Sequence, residues 1–572
     1  MKIARRIFVG MALLLLSWEN TNASWPQKAA HEWQRKLNEY MTSLAQFGFS
    51  GALLVAKNDE IILNQGYGWA DKENAIPNMA ETVFSTGSIT KQFTAAAILK
   101  LKMQGQLNTG DAIDKFIAKV PADKKAITLH QLLTHTSGLG ADDGGGNAPD
   151  REQFVQEVLG RPLQHASGES FEYSNSGYGL LAAIIEKVSG QSYEQYLREN
   201  LFKPADMNFT GYRMPKWEPK KVAKWYAGEI DNGSPLDRPF PNWTTLGSGE
   251  ILSTTSDMFK WHQALLGETI LSAAAKNKLF TPVFRNYAYG WDVMPTPYGS
   301  MIAHDGGNTL GVGADFRRFP DSGVVIMAFC NDGGETMLLG ETRRNITRLV
   351  FGKEVEMPPA AAAIETAALT KYQGTYALPS GAIIVVAQKD RELVLTGEGQ
   401  EAVSLLATGD SSHAQILNEK NVLIMNLIQA GAEGNHHPIF EAFKDAPFAA
   451  VQKRQSQIWQ EWGANFGNYK GCQVFGTVPE GEEDHITRAR LDFERGAVFL
   501  QFYWGPFRLA GFRSSAALPG KKFFYQAANA FVFFDVSTAS ATRLRFSLNE
   551  KGAVAGLALA GKSREVVAGK MP

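Results

Sequence analysis

The chain has 572 residues, of which 44% are hydrophobic, and its formal net charge is -1. This length predicts two or three domains, because one hydrophobic core rarely grows so large. The hydrophobic content excludes a largely disordered chain. Lys and Arg are scattered along the sequence, which excludes the concentrated basic surface that nucleic-acid binding requires.

The first 23 residues have the pattern of a secretory signal peptide. Lys2, Arg5 and Arg6 precede an apolar stretch from 7 to 16 that is too short to span a bilayer, and 21–23 suit cleavage. The alternative is an uncleaved membrane anchor. We expect an exported protein, secreted or periplasmic, with no stable membrane span once residues 1–23 are removed.

The segment after the signal predicts one sheet built from distant parts of the chain. Residues 25–45 have helical spacing of apolar side chains, and the next two strands form a hairpin with its turn at 57–60. A long helical and loop region from about 88 to 271 precedes the return of strands and a last helix. The expected strands are 51–56, 61–67, 289–294, 301–304, 313–319 and 324–329, and the expected last helix is 335–350. Strands at both ends with helices between them favour a sheet with a helical insertion.

Ser88-Ile89-Thr90-Lys91 is an S-x-x-K motif at the start of a strongly helical segment. Residues three apart share a helix face, so the Lys91 amine is expected beside the Ser88 hydroxyl. A serine needs a base, and lowering the pKa of a lysine from about 10.4 to about 7 requires about 4–5 kcal/mol of environmental preference. The motif predicts a nucleophile at Ser88 and its base at Lys91. The alternative is a capping serine followed by a surface lysine.

Two further groups of residues strengthen this hypothesis. Tyr173-Ser174-Asn175 precedes an apolar helix; a tyrosine can relay the serine proton, and an asparagine can hold a substrate amide. The alternative is a core tyrosine beside an N-capping asparagine. His304-Asp305-Gly306-Gly307 ends an apolar strand, where paired glycines let a substrate backbone approach. The alternative there is a hairpin turn with a solvated histidine.

The C-terminal part of the chain is a separate, β-rich region. Residues 356–365 have the Pro- and Ala-rich composition of a linker. Residues 366–572 then carry short β-type runs and one isolated helix near 452–463, so we expect an accessory region, with a division into two halves near 450–465. The expected strands are 383–386, 392–395, 422–427, 497–503, 523–525, 531–536 and 542–547.

The three motifs in this order resemble the β-lactamase-related serine hydrolases, which include class C β-lactamases, DD-peptidases and related esterases. The segments 127–129, 132–139, 173–178, 289–291 and 304–307 match as well, and the resemblance covers roughly residues 28–352. It implies an α/β (α+β) β-lactamase-like fold, an antiparallel sheet flanked by helices, in a hydrolase domain at 24–355.

Carried over residue by residue, the resemblance implies a role for each motif. Ser88 is the acylated nucleophile, Lys91 its base and Tyr173 the proton relay. Asn175, His304, Gly306 and Gly307 bind substrate, with the backbone amides of Ser88 and Gly307 as the oxyanion hole.

His304 stands where the antibiotic-hydrolysing members usually have lysine, which favours esters or D-amino-acid peptides over β-lactams. We expect lowering the pH toward 6 to restore some charge on His304.

The sequence therefore predicts an exported serine hydrolase that cleaves an amide or ester through an acyl-Ser88 intermediate. Its substrate is a small molecule or peptide: a peptidoglycan peptide, another D-amino-acid peptide, a small ester or a β-lactam. No cofactor or metal is expected, because the chain has only two cysteines and no His-Glu-x-x-His pattern.

One alternative is a catalytically silent protein that senses peptides or β-lactams. An α/β-hydrolase is discounted because G-x-S-x-G is absent. The sequence does not specify the oligomeric state.

Overall fold

The structure is a computed structural model that describes most of the chain after the predicted signal. The described residues are 27–140, 150–228, 230–308, 310–333, 340–408, 414–443, 448–479, 485–504, 509–515, 520–536, 538–561 and 565–572. The predicted signal peptide, 1–23, lies outside them. Within these ranges, no helix combines the length and the apolar character needed to cross a membrane.

The first part of the chain forms one antiparallel six-stranded sheet. Its strands are β1 (Gly51–Lys57), β2 (Glu60–Tyr67), β3 (Asp292–Thr296), β4 (Gly299–Gly307), β5 (Gly313–Phe319) and β6 (Val324–Cys330), in the order β2-β1-β6-β5-β4-β3. The predicted hairpin is confirmed, and β1 pairs with β6, with Gly51 opposite Cys330. The sheet is therefore closed by segments from opposite ends of this region, as the sequence predicts.

Helices cover both faces of this sheet. Their bounds are α1 (Gln27–Gln46), α2 (Thr90–Met103), α3 (Leu129–Leu133), α4 (Arg151–Gly160), α5 (Asn175–Ser189), α6 (Tyr193–Leu197), α7 (Thr255–Leu266), α8 (Ala273–Leu279) and α9 (Glu341–Val350). Leu54 packs toward the core that contains α2 and α5, whereas Leu53 and Val55 pack toward α1 and α9. Because successive residues of β1 alternate between two buried faces, the strand is apolar from Ala52 to Ala56.

Short strand pairs brace the loops around the insertion. They are Trp69–Asp71 with Ile76–Pro77, Phe84–Ser85 with Leu252–Ser253, and Tyr226–Ala227 with Ile230–Asp231. The pairing of Phe84 with Ser253 bears most directly on the S-x-x-K motif, because it brings residues 248–253 beside the start of α2.

The C-terminal region contains a closed eight-stranded barrel. Its strands are β7 (Gly374–Ala377), β8 (Ile383–Lys389), β9 (Glu392–Glu398), β14 (Lys521–Ala527), β15 (Ala530–Asp535), β16 (Ser540–Leu548), β17 (Val554–Ala560) and β18 (Glu565–Lys570). Buried side chains such as Tyr376, Leu393, Phe523 and Leu557 form its core. The expectation of a β-rich region is confirmed.

A second unit is nested between barrel strands β9 and β14. It comprises α10 (Gln400–Thr408), α11 (Ala414–Ala432), α12 (His437–Phe443), α13 (Phe448–Phe466) and a four-stranded sheet of β10 (Tyr469–Pro479), β11 (His485–Phe493), β12 (Gly496–Trp504) and β13 (Leu509–Ser515). The expected helix at 452–463 lies within α13. The barrel takes strands from both sides of that helix, so the region does not divide there into consecutive halves.

The strand expected at 422–427 is wrong, because these residues belong to α11. Ile424, Leu427 and Ile428 are buried while Val422 and Met425 are exposed. That spacing is helical, and the continuous apolar run concealed it in the sequence.

The barrel packs on the sheet domain through α1 and the chain that follows it. Val532, Phe534 and Val536 belong to the same buried cluster as Leu37 and the core residues of α9. The ring of Phe47 lies 5.0 Å from that of Phe524 and 5.5 Å from that of Phe534. The barrel thus contacts the residue that directly follows α1, while α1 itself packs on the six-stranded sheet.

Candidate active site

Ser88 lies in a single 3-10 turn, Gly87–Ile89, that leads directly into α2. Its backbone position is held from both sides, because Thr86 N donates to Ile251 O at 2.8 Å and Ile251 N donates to Thr90 Oγ1 at 3.1 Å. Neither this turn nor α2 has a side-chain N-cap hydrogen bond. The half-buried Ser88 hydroxyl is therefore not a helix cap.

Lys91 is fully buried and lies beside Ser88. Its Nζ is 3.1 Å from Ser88 Oγ, 2.8 Å from Asn175 Oδ1 and 2.8 Å from the backbone oxygen of Ser248. The alternative of a surface lysine is excluded. The one-turn spacing brings the amine and the hydroxyl into hydrogen-bond contact, as the motif predicts.

Tyr173 and Asn175 approach the same amine from the start of α5. Ser174 is the N-cap, since its hydroxyl accepts a hydrogen bond from Gly177 N, and this leaves the Asn175 side chain to reach Lys91. The ring of Tyr173 lies 4.6 Å from Lys91 Nζ. Tyr173 is half-buried beside Lys91. The alternative of an N-capping Asn175 is excluded, because the N-cap is Ser174.

The end of β4 passes so close to Ser88 that only glycine fits at two positions. A Cβ atom on Gly306 would lie 2.4 Å from Ser88 N and 2.7 Å from Thr86 O. A Cβ atom on Gly87, whose φ is +50°, would lie 2.7 Å from Gly307 N. Any larger residue at either position would force the strand away from the turn. Gly87 and Gly306 therefore allow the backbone amides of Ser88 and Gly307 to lie close together.

His304 lies within β4 and is buried, which excludes a solvated hairpin turn. Its Nδ1 is 2.6 Å from Asp305 O, and its Nε2 is 3.0 Å from Tyr287 Oη. A carbonyl only accepts, so Nδ1 carries the proton and Nε2 accepts from the Tyr287 hydroxyl.

Both ring nitrogens of His304 thus have partners inside the protein. Burial lowers the pKa of His304 to about 4; Lys91 also lowers it, while Asp305 opposes the shift. The expectation that its charge returns near pH 6 is wrong, because the imidazole stays neutral there.

A cluster of charged residues lies along the strands beside His304. Arg343 of α9 is 3.2 Å from Asp305 and 3.0 Å from Asp315. Burial and the nearby Asp305 raise the pKa of Asp292 to about 6, and Arg343 opposes this shift. The pKa of Asp292 therefore depends on the charges of Asp305 and Arg343.

Two contacts in the site have no counterpart in the sequence motifs. The first is the Ser248 carbonyl, a backbone acceptor for Lys91 that lies 157 residues away in sequence. The second is His135, a fully buried residue whose Nδ1 accepts from Ser174 N at 3.0 Å. The Leu-Leu-Thr-His-Thr-Ser-Gly-Leu segment contains His135, but nothing in its spacing indicates a partner on α5.

Comparison with known proteins places this arrangement in a family. The beta-lactamase family model matches residues 34–350. PbpX of Bacillus subtilis (strain 168) is 32% identical over 320 residues, 55% of this chain and 78% of that one. A penicillin-binding protein of the same organism is 28% identical over 395 residues, 64% of this chain and 87% of that one. The octameric penicillin-binding protein homologue from Pyrococcus abyssi covers 93% of this chain and 99% of its own, with 20% identity and a TM-score of 0.49. The chain belongs to the beta-lactamase family of serine hydrolases.

Proposed function

We propose that this protein is an exported hydrolase that cleaves an amide or ester bond through an acyl-Ser88 intermediate. The observation that carries the proposal is the 3.1 Å contact between Lys91 Nζ and Ser88 Oγ, with Lys91 excluded from water. A serine hydroxyl becomes a useful nucleophile when an adjacent group accepts its proton. Burial favours the uncharged form of an amine, which is the form that can accept a proton.

The partners of Lys91 suit a proton that moves between Lys91 and Ser88. Asn175 Oδ1 and the Ser248 carbonyl can only accept, so each takes one N–H of Lys91. The Ser88 hydroxyl can either accept from an ammonium or donate to a neutral amine. Both protonation states therefore keep the same two anchoring hydrogen bonds, and proton transfer needs no rearrangement of the lysine.

The reaction then divides into two steps. Ser88 Oγ attacks the substrate carbonyl as its proton passes to Lys91, and the oxyanion forms against the backbone N–H groups of Ser88 and Gly307. The leaving group departs with a proton from Lys91, relayed by Tyr173. In the second step Lys91 takes a proton from the water that attacks the acyl-Ser88 ester, and returns it to Ser88 Oγ as the acid leaves. Asn175 holds Lys91 and, through its amide N–H, a substrate carbonyl.

The substrate class depends on the groups that surround the nucleophile. A penicillin or cephalosporin carries a carboxylate, and the neutral, fully hydrogen-bonded His304 supplies no positive charge to meet it. We therefore favour esters or D-amino-acid peptides over β-lactams as substrates for turnover. One relative is named a penicillin-binding protein. We therefore include slow acylation of Ser88 by a β-lactam in the proposal. The predicted signal, 1–23, supports export to the periplasm or medium.

A silent binding protein is the rival, since the same pocket would serve a sensor of peptides or β-lactams. The two functions differ in deacylation, because a sensor keeps its acyl group whereas an enzyme releases it. Burst kinetics followed by steady product release with p-nitrophenyl esters, D-Ala peptides or nitrocefin would support the enzyme. A stoichiometric burst without turnover on every compound would support the sensor.

Ser88→Ala tests the nucleophile. Intact-mass spectrometry after treatment with a fluorophosphonate should show one adduct on the wild type and none on the variant. Ser85→Ala, a buried serine three residues earlier, is the matched control and should keep the adduct. Equal thermal unfolding temperatures would show that both variants fold. A fluorophosphonate adduct on a different serine would disprove the assignment.

A further inference from the structure

A second cavity lies in the C-terminal region, among elements that take no part in the proposed hydrolysis. It has a volume of about 210 Å³ and lies between one end of the barrel, α10 and the nested sheet. Leu395, Gly520 and Lys521 line it from the barrel, Val403 and Leu406 from α10, and Phe475, Val478 and Ile486 from β10 and β11. Its walls share no residue with the Ser88 site, so a ligand bound here would not depend on the proposed hydrolysis.

The cavity lies at one end of the barrel lumen, beyond the side chains that fill it. Buried aromatic and aliphatic side chains fill that lumen, among them Tyr376, Leu393, Phe523, Phe531 and Phe546. Val403, Phe475, Val478 and Ile486 form a separate small apolar cluster over the rim. The nested unit thus lies over one end of the barrel and borders the space between them.

Three charged side chains line this space together with the apolar ones: Lys521, Asp535 and Arg488. Lys521 and Phe523 are two apart on β14, so both face the barrel interior. Asp535 shares the inward face of β15 with Phe531 and Phe533 in the same way. Among the described residues that line the cavity, Lys521 and Arg488 are cationic and Asp535 is anionic.

Lys521 is arranged to present N–H groups to a ligand. Its Nζ donates to Ala407 O at 2.7 Å and lies 3.9 Å from the Phe533 ring centroid. Among the described residues this carbonyl is its hydrogen-bond acceptor, which leaves two N–H donors. Burial lowers the pKa of Lys521 to about 8, helped by Arg488 and opposed by Asp535, so Lys521 is mostly charged at pH 7.

We propose that this cavity binds a small carboxylate with an apolar body, the carboxylate held by Lys521 and Arg488 and the body packed on Val403, Phe475 and Ile486. Lys and Arg bind carboxylates through charge-assisted hydrogen bonds, and one residue of each type lines this cavity. The volume is below the 300–1,000 Å³ typical of pockets for drug-sized ligands, so the ligand is compact.

Titration calorimetry on the full chain tests this proposal, with octanoate as the probe. We expect saturable binding of octanoate at pH 7, at least ~10-fold weaker binding of octanamide, and no binding of octylamine. Lys521→Met and Arg488→Met should each weaken octanoate binding by ~10-fold or more. Ala407→Leu adds volume at the cavity wall and should abolish binding without removing a charge.

Lys522→Met is the matched control, because Lys522 is the next residue of β14, faces the opposite side and pairs with Glu392 at 3.6 Å. It should bind octanoate as the wild type does, and unchanged thermal unfolding would show that each variant folds. Three results would overturn the proposal: no saturation by octanoate, equal affinity for inorganic phosphate, or undiminished binding in folded Lys521→Met and Ala407→Leu.

Discussion

The imidazole of His135 stacks against the ring of Tyr173, with the two centroids 4.3 Å apart and the planes tilted by 33°. The same imidazole accepts a hydrogen bond from the backbone of Ser174. One buried side chain thus fixes both the ring of Tyr173 and the main chain that leads into Asn175. Burial holds the pKa of His135 well below its usual range, so it remains a neutral acceptor.

This arrangement predicts that His135 positions the catalytic groups without touching substrate. His135→Asn keeps a side-chain acceptor, and asparagine tolerates the positive φ of +57° at this residue. His135→Phe keeps the stacked ring but leaves the Ser174 N–H unsatisfied, which costs about 1–3 kcal/mol. We expect the Asn variant to retain more of the fluorophosphonate labelling rate than the Phe variant. Labelling rates that track only the unfolding temperatures of the two variants would contradict a positioning role.

Lys91→Met should lower the acylation rate by ~10²–10⁴-fold, the usual loss when a general base is removed. The nearly isosteric side chain preserves packing but cannot accept the Ser88 proton. Stopped-flow labelling gives the rate, and Lys100→Met is the control because Lys100 lies on the same helix and binds the Ile270 carbonyl instead. Wild-type acylation in Lys91→Met would mean that another group, such as Tyr173, is the base.

His304 should make the protein sensitive to acid. Its pKa is lower in the folded state, about 4 against 6.5, so its contribution to stability is complete above pH 6.5 and is lost as the pH falls through 4. The difference between these two pKa values corresponds to about 3 kcal/mol of unfolding free energy. Denaturant unfolding at pH 7.5, 5 and 4 should show a steeper loss for wild type than for His304→Gln. An equal loss of unfolding free energy in the two proteins would show that His304 is not the source of the acid sensitivity.

The same pKa makes a kinetic prediction. The ratio of kcat/KM for nitrocefin to that for a p-nitrophenyl ester should not rise between pH 7.5 and pH 6, since His304 gains little charge in that range. A marked rise in wild type that is absent from His304→Gln would show that the imidazole does meet the substrate carboxylate.

Asp292 should have the opposite effect on stability. Its folded pKa is raised to about 6 from 3.8, so its stabilising contribution is present below pH 3.8 and is lost as the pH rises through 6. Asp292→Asn should therefore stabilise the protein by about 2–3 kcal/mol at pH 7.5 and by much less near pH 4. Denaturant midpoints across this range provide the measurement. A gain that does not depend on pH would point to packing instead.

A chain ending at residue 355 should still be acylated, because Ser88, Lys91, Asn175 and Gly307 all lie before that point. Its solubility should fall, since Phe47 loses its contacts with Phe524 and Phe534. Phe47→Ser in the shortened chain should restore part of that solubility. A folded, shortened protein that takes no label would show that the barrel contributes to the pocket.

The sequence predicts the six-stranded sheet well because its strands carry local signals. The hairpin turn at 57–60 and the apolar run of β6 are visible without knowledge of their partners. The helical character of α11 is not visible in the sequence. Its exposed Val422, Leu423 and Met425 make the apolar run continuous, so the helical spacing of the buried residues cannot be distinguished.

In the candidate site, too, local contacts could be predicted from the sequence and long-range contacts could not. Ser88 and Lys91 are one helical turn apart, so local spacing predicts their contact. The Ser248 carbonyl has no residue-type signature, and only the pairing of distant strands brings it to Lys91. His304 has a recognisable place in its motif, but its burial and its bond to Tyr287 depend on tertiary packing.

The nested topology of the barrel governs how this region assembles. β9 and β14 are neighbours, with Leu393 opposite Phe523, although the whole nested unit lies between them in the chain. The ring closes only when β18 pairs with β7. Long-range pairings of this kind form late and slowly, since ordering the intervening chain precedes the gain from contact. The barrel face that covers Phe47 is therefore among the last surfaces to form, and Phe47 on the domain of the six-stranded sheet stays uncovered until then.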